Sequence, residues 1–195
     1  MKPLHRKTHT LAKRGLSLLC VLALCLGLLP VTALAAEGAP NSLYVGDQQV
    51  INGNNTTFWT TDKSTGGLTE CEGNDDNWNV KYDPNSATLT LNGATIKGGT
   101  STVSAPFGSG IYALCSHEKP VSLTIELIGE NTITGNYGIY VDAQQGGTVG
   151  TNASLTITGE NNGSLEVSGS SYGIYVKSGC RHFSAQYSLR PLTRA

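Results

Sequence analysis

The stretch that decides the fold is SLTIELIGENTITGNYGIYVDA, residues 122–143. It returns in altered form as SLTITGEN at residues 154–161 and as SYGIYVK at residues 171–177. A weaker copy precedes it, as TLTLNGATI at residues 88–96 and GIYA at residues 110–113. The Leu-Thr pairs of the three copies begin at Leu89, Leu123 and Leu155, so they are 34 and 32 residues apart. A repeat near this length is typical of stacked architectures, in which each unit packs on its neighbours.

Within each copy, apolar residues alternate with polar ones. Leu123, Ile125 and Leu127 would share one face of a strand, and Ile139, Val141 and Ala143 share a face further on, because side chains alternate across a strand. Ile133 stands alone on a short piece between them. The counterparts are Leu89, Leu91, Ile96, Ile111 and Ala113 in the first copy, and Leu155, Ile157, Leu165, Val167, Ile174 and Val176 in the third. No window after residue 35 favours a helix.

Three strand-sized pieces per copy predict an all-β fold, a β-solenoid of about three coils over residues 88–178. One coil cannot bury its apolar row alone, whereas stacked coils can. The alternative is a β-sandwich, which would not require matching residues at a nearly constant step.

Residues 36–87 predict an N-terminal β-hairpin and cap region. Strand signals occur at residues 42–46, 48–51, 54–61 and 78–82, with Asn52-Gly53 as a tight turn and residues 62–77 as a loop. Asp83-Pro84-Asn85-Ser86 is a turn sequence, because Pro fixes φ and Asp or Asn can hydrogen-bond the nearby backbone. A hairpin therefore leads into the first copy.

Residues 1–35 have the three parts of a secretory signal peptide. Five basic residues lie before Gly15, an apolar run follows, and Ala33-Leu34-Ala35 supplies the small residues of a cleavage site. The run is short for a bilayer, which needs about 20 residues. We expect cleavage near Ala35 and a secreted or cell-surface chain, with no membrane contact afterwards.

The mature chain would keep 8 of the 13 basic residues and all 14 acidic residues, a net charge of −6. This balance excludes a typical nucleic-acid-binding protein, which carries a basic stripe. Of the five cysteines, Cys71, Cys115 and Cys180 would remain, an odd number whose spacing matches no metal motif. We expect no cofactor and no metal. The acidic loop at Glu70, Glu72, Asp75 and Asp76 lacks the spacing of an EF-hand.

Catalytic residues are not indicated. Glycoside chemistry needs paired carboxylates, but Glu126 aligns with Asn92 and Thr158, and Asp142 aligns with Ala113 or Lys177. Both acids should point outward. A nucleophile triad needs a positioned histidine, and only His117, in a loop, and His182, in the tail, follow the signal peptide.

The candidate ligand-binding residues are tyrosines. Tyr112, Tyr140 and Tyr175 each follow Gly-Ile, and Tyr137 and Tyr172 each precede the same glycine. In-register stacking would place them in ladders with the spacing of neighbouring strands, about 4.8 Å. Such a ladder could receive sugar rings or a protein partner, since Tyr combines a flat apolar area with a polar tip. The alternative is a self-packing ladder that supports the sheet.

The chain resembles secreted and surface repeat proteins of gut Clostridia-like bacteria. The likeness covers residues 42–178 and is carried by LYVG at residues 43–46, WNVKYDPN at residues 78–85, TLTLNGATI, and the repeated GIY. It implies a right-handed parallel β-helix, distantly similar to pectate-lyase-like folds, and for some members carbohydrate binding. This fold carries lyases, hydrolases, adhesins and stalks alike.

After Ser178 the pattern stops, and residues 179–195 continue no repeat. We interpret them as an irregular tail from a truncated or shifted reading frame; a true cap over the last coil is the alternative. The sequence thus predicts a non-enzymatic display or adhesion module whose partners are glycans or host or bacterial surface proteins. A partial carbohydrate-active enzyme and a structural spacer are the alternatives.

Overall fold

The computed structural model describes residues 35–74, 77–99, 108–115, 119–143 and 152–178, apart from the side chains of 160 and 161. Several predictions lie outside these residues. They are the signal peptide, the tail after Ser178, and the residues Asp75, Asp76, His117, Cys180 and His182.

The regular structure of the described residues is β-strand, apart from a 3₁₀ assignment at Gly108. The ten strands are β1 Ser42–Val45, β2 Gln48–Gln49, β3 Thr57–Thr61, β4 Leu68–Cys71, β5 Val80–Asp83, β6 Thr88–Asn92, β7 Thr95–Lys97, β8 Ile111–Cys115, β9 Val121–Ala143 and β10 Ala153–Lys177. They form a single sheet along the order β2-β1-β8-β9-β6-β5-β3-β4, with β7 and β10 also paired to β9. The predicted all-β class is confirmed. No described segment is a helix able to cross a bilayer.

Strand β9 is the centre of the sheet. Three strands of the first copy, β6, β7 and β8, pair with it in parallel along its length, and β10 pairs with it in parallel as well. Equivalent apolar residues therefore meet: Ile96 opposes Ile133, and Ile111 opposes Ile139. Their side chains are fully buried in one shared core, so the sequence repeat is a repeat of stacked strands.

The alignment of the first copy with the second was wrong by two residues. Leu89 pairs with Ile125, not with Leu123, whereas Leu155 pairs with Leu123 as predicted. A slip of two residues keeps every side chain on its face, because side chains alternate with a period of two. The apolar pattern was therefore correct even though the pairing was not.

The bend in the second copy is built around Gly129 and Asn131. Gly129 has a φ of +63°, and its stacked counterpart Gly93 has a φ of +60°, a conformation that favours glycine. Asn131 is buried, and its side chain joins all three copies. Its Oδ1 accepts from the Ala94 backbone N–H at 2.8 Å, and its Nδ2 donates to the carbonyl of Ser164 at 3.2 Å.

The N-terminal region is antiparallel. β1 pairs with β2 and β8, and β5 forms the predicted hairpin with β6 around the turn that begins at Asp83. The prediction of a plain loop over residues 62–77 was wrong, because β4 lies within it and pairs with β3. β4 shows no apolar alternation, with Thr69 and Glu70 both exposed. This explains why the pattern missed it.

Burial falls in the third copy. Ile125 on β9 is fully buried, while its partner Ile157 on β10 is only partly buried. Four further apolar residues of β10 are also only partly buried: Leu165, Val167, Ile174 and Val176. Among the described residues, β10 pairs with β9 alone. Among the described strands, the apolar side chains of β10 therefore pack against those of β9 on one side only.

Candidate functional site

The repeated Gly-Ile-Tyr segment positions the candidate tyrosines. Ile139 points into the core and is fully buried, so its neighbour Tyr140 points to the opposite face. A Cβ on Gly138 would lie 2.4 Å from Val167 Cγ2 and 2.5 Å from the Gly173 carbonyl oxygen. Only glycine fits there, because neighbouring copies approach closely just before the tyrosine.

Three predicted tyrosines form one row across the strands. Tyr112, Tyr140 and Tyr175 are register partners on β8, β9 and β10. The ring centroids of Tyr112 and Tyr140 are 5.1 Å apart, and those of Tyr140 and Tyr175 are 5.3 Å apart. Tyr44 on β1 pairs with Tyr112 in the backbone register. The sequence analysis missed this fourth position, because Tyr44 lies outside the repeats.

The other two predicted tyrosines form a second row beside the first. Tyr137 and Tyr172 are register partners, with centroids 5.8 Å apart and ring planes inclined by 15°. Tyr137 also stacks on Tyr140 at 5.0 Å, and Tyr172 stacks on Tyr175 at 5.1 Å. All five residues thus meet in one cluster, which we call the tyrosine cluster: Tyr112, Tyr137, Tyr140, Tyr172 and Tyr175.

Exposure divides the tyrosine cluster into two parts. Tyr112 and Tyr140 are each only 5% exposed, whereas Tyr172 is 54% exposed and is the one large hydrophobic side chain exposed among the described residues. Tyr137 and Tyr175 are intermediate. The predicted outer ladder is therefore not a uniform surface, since two of its five rings are covered. Ligand contact by any of the five stays a prediction.

Asp142 lies at the covered side of the cluster. Tyr140 Oη donates to Asp142 Oδ2 at 2.9 Å, and Lys177 Nζ lies 3.6 Å from the same oxygen. Asp142 Oδ1 is buried without a hydrogen-bond partner. Burial, followed by the charge of Asp142, raises the pKa of Tyr112 to about 12 and that of Tyr140 further still. Both hydroxyls are therefore neutral at physiological pH.

A group of uncharged polar side chains lies beside the exposed part of the cluster. Asn136 directly precedes Tyr137, and Ser170 and Ser171 directly precede Tyr172. Asn136 Oδ1 accepts from Ser170 Oγ at 2.9 Å and from Ser171 Oγ at 2.6 Å. The sequence analysis missed these residues. The sequence signal that could have identified them is their position directly before the repeated tyrosines Tyr137 and Tyr172.

The two carboxylates that the sequence predicted to point outward, Glu126 and Asp142, have different neighbours from those predicted, and Asp142 is buried at 5% exposure. Glu126 pairs with Thr90 and Thr158, not with Asn92, and its Oε2 accepts from Thr90 Oγ1 at 3.2 Å. Asp142 pairs with Leu114, not with Ala113, and with Lys177. Both corrections concern the first copy. Strand β6 is shifted by two residues from the alignment of the Leu-Thr pairs, which places Thr90 opposite Glu126. The Gly-Ile-Tyr segments pair in register, which places Leu114 opposite Asp142. Neither acid faces a second carboxylate across the ladder.

Other candidate groups do not form a site in the part of the chain that is described. No set of three His, Cys, Asp or Glu side chains there could hold a metal ion. Cys71 and Cys115 are not bonded to each other, and burial raises the pKa of the Cys115 thiol. An open cavity of about 840 Å³ lies beside residues 35–41 and is also lined by Cys115 and Lys119. Its first lining residue, Ala35, would be removed with the predicted signal peptide.

Comparison with protein-family models, with curated proteins and with solved structures finds no match to this chain.

Proposed function

We propose that the chain is a right-handed parallel β-helix of three coils, with an antiparallel N-terminal cap. The parallel pairing of the three copies in consistent register supports this architecture. The connection between two parallel strands of one sheet is right-handed in about 98% of cases. The β-sandwich alternative is disfavoured, because it needs two packed antiparallel sheets and the described strands belong to one sheet. The cap proposal rests on the antiparallel pairing of β1 on β8 and of β5 on β6.

We further propose that this β-helix is a secreted or surface module that recognises saccharides without transforming them. The observation that carries the proposal is the exposure of Tyr172, at 54%, on a stack with Tyr137 and Tyr175. One exposed apolar side chain is common on protein surfaces, but Tyr172 continues a stack with the partly exposed Tyr137 and Tyr175. A contiguous exposed apolar patch of this kind supports a binding surface. Flat apolar rings with polar edges suit the apolar faces and hydroxyl rims of sugars.

The enzymatic alternative is less well supported by the local contacts. Glu126 hydrogen-bonds Thr90, and Asp142 hydrogen-bonds Tyr140 beside Lys177. The two carboxylates that the sequence predicted to point outward are therefore both engaged with neighbouring side chains. The spacer alternative is consistent with the covered rings Tyr112 and Tyr140. It gives no reason for the exposed position of Tyr172.

The test is glycan-array binding by the full secreted chain. Tyr172→Ala and Tyr175→Ala should abolish saturable binding while the far-ultraviolet circular dichroism stays unchanged. Thr156→Ala, an exposed change elsewhere on β10, is the matched control and should bind like the unaltered protein. Binding that survives both tyrosine changes would exclude the tyrosine cluster as the site. Binding to no glycan would favour the spacer.

A further inference from the structure

We infer that the ligand is a neutral saccharide end of one or two sugar residues, stacked on Tyr137, Tyr172 and Tyr175 and held by Asn136. This inference rests on the proposed function and narrows it in ligand length, ligand charge and the polar group that positions the sugar.

The length follows from where the accessible rings end. Towards the first copy, the next rings are Tyr112 and Tyr140, and each is only 5% exposed. A polysaccharide running along the stack would meet covered rings there. Among the described residues, the accessible platform therefore consists of three rings on β9 and β10, whose centroids are 5.1 to 5.8 Å apart. This platform suits a chain end, because the next rings of the described strands are covered.

The polar contact follows from the orientation of Asn136. Its Oδ1 is occupied by the hydroxyl groups of Ser170 and Ser171. These two bonds orient the amide, so the Nδ2 group is directed away from both serines. No described residue accepts a hydrogen bond from Nδ2, and the two serines are exposed. An oriented amide donor beside a stacked aromatic pair is the kind of polar group that fixes a ligand in an otherwise apolar site.

The ligand charge follows from the side chains around the platform. Asn136, Ser170 and Ser171 are uncharged, and so are the three rings. Lys177, on β10, lies 3.6 Å from Asp142 Oδ2 and so has an acidic partner of its own. Because the described residues that hold the ligand in this proposal are all uncharged, binding should be insensitive to salt, since screening acts on interactions between charges.

The experiment titrates the full secreted chain with cello-, chito- and malto-oligosaccharides of one to six residues, and with galacturonate oligomers of the same lengths. Affinity for at least one neutral series should rise from one residue to two and then stay constant. The galacturonate oligomers should bind more weakly, and binding of the neutral series should be unchanged when salt is raised.

Two variants test the role of Asn136. Asn136→Asp keeps acceptors for both serine hydroxyls and removes the Nδ2 donor, and it should weaken binding about tenfold, the size of one good hydrogen bond. Asn136→Ala should weaken it at least as much. Asn152→Ala, an exposed asparagine at the start of the third copy, is the control and should leave affinity unchanged.

The outcomes separate the two proposals. Affinity that keeps rising up to six residues would overturn the chain-end inference and leave saccharide recognition standing. Binding lost in Tyr172→Ala but retained in both Asn136 variants would overturn the role of Asn136. Tighter binding of galacturonate oligomers would overturn the neutral-ligand inference. Binding on the glycan array without binding to any oligosaccharide of the three neutral series would overturn the inference and leave the proposed function standing. Failure of the unaltered protein to bind any glycan in either experiment would overturn both.

Discussion

At the scale of single residues, the side chain that links most of the structure is Asn131. It is 2% exposed, and its Nδ2 donates to the carbonyls of Ile128, Gly129 and Ser164 while its Oδ1 accepts from Ala94. These bonds satisfy backbone groups at a bend where the strand ladder is interrupted. A buried polar network of this kind specifies one packing, because an unpaired group there is costly.

We predict that Asn131→Ala lowers the free energy of unfolding by about 2–4 kcal/mol, because several buried backbone groups lose their partner at about 1–3 kcal/mol each, with partial relaxation. Chemical denaturation measures the change. Asn152→Ala, exposed on the third copy, should change stability by less than about 0.5 kcal/mol. Equal stability of the two variants would show that the network is not a structural link between copies.

Tyr82 gives the chain a defined sensitivity to alkaline pH. Its ring is fully buried and its hydroxyl has no hydrogen-bond partner. Burial, with a smaller contribution from Asp83, raises the pKa of Tyr82 from 10.0 to about 12. The unfolded chain therefore loses this proton at lower pH than the folded chain. The stability contribution is complete below pH 10 and is lost as pH rises through about 12.

We predict that Tyr82→Phe removes part of this alkaline loss. At neutral pH its free energy of unfolding should equal or exceed that of the unaltered chain by about 1 kcal/mol, because a buried hydroxyl without a partner carries a desolvation cost. Between pH 10 and 12 the advantage should grow, although Tyr112, also raised to about 12, retains its own contribution. Denaturation at several pH values measures this. An advantage that does not grow with pH would contradict the assignment, and Tyr172→Phe at an exposed ring is the control.

At the scale of elements, the alternation of apolar and polar residues and the recurrence of motifs predicted the core residues of the strands correctly. The distance between motifs predicted the strand register less well. The inward residues of β6, β8, β9 and β10 were identified because a packed row requires apolar side chains at every second position. The pairing of Leu89 was wrong by two residues, because the strand before the bend is two residues shorter in the first copy: Leu89 precedes Gly93 by four positions and Leu123 precedes Gly129 by six. β4 was missed because its side chains are exposed and leave no apolar signal.

The candidate site was predicted in part for a related physical reason. In-register stacking was enough to bring Tyr112, Tyr140 and Tyr175 together. Their unequal burial could not be read from the repeats, because it depends on what covers each copy. Asn136 was missed since its role depends on serines that are 34 and 35 positions away in sequence.

The difference between the second and third copies leads to a prediction with a built-in control. Ile125 and Ile157 are register partners with the same side chain, fully buried in β9 and partly buried in β10. We predict that Ile125→Ala costs about 2–5 kcal/mol, the range for a buried isoleucine. Ile157→Ala should cost less than half as much. Denaturant midpoints of the two variants measure this, and equal costs would mean that the third copy is as tightly packed as the second.

At the scale of the whole molecule, stability should be graded along the stack. In architectures that contact only their neighbours, each unit is stabilised by its own contacts and by its interfaces. β9 has ladder partners on both sides, namely β6, β7 and β8 on one and β10 on the other, while β10 pairs with β9 alone among the described strands. Opening of β10 therefore breaks one interface, whereas opening of β9 breaks two.

We predict that native-state hydrogen exchange is slower at the amides of residues 123–127 than at those of residues 155–159. The exchange of β10 should reflect a local opening with a free energy below that of global unfolding, and that of β9 should approach the global value. Ile157→Ala should then accelerate exchange mainly in β10, while Ile125→Ala accelerates both segments together. Matching protection in the two segments would instead indicate one cooperative unit, in which the partly buried row of β10 is as firmly held as the central row. The proposed binding platform spans β9 and β10, so a ligand that stacks on Tyr137 and Tyr172 should slow exchange in β10 more than in β9, because it adds a contact to the less stable strand.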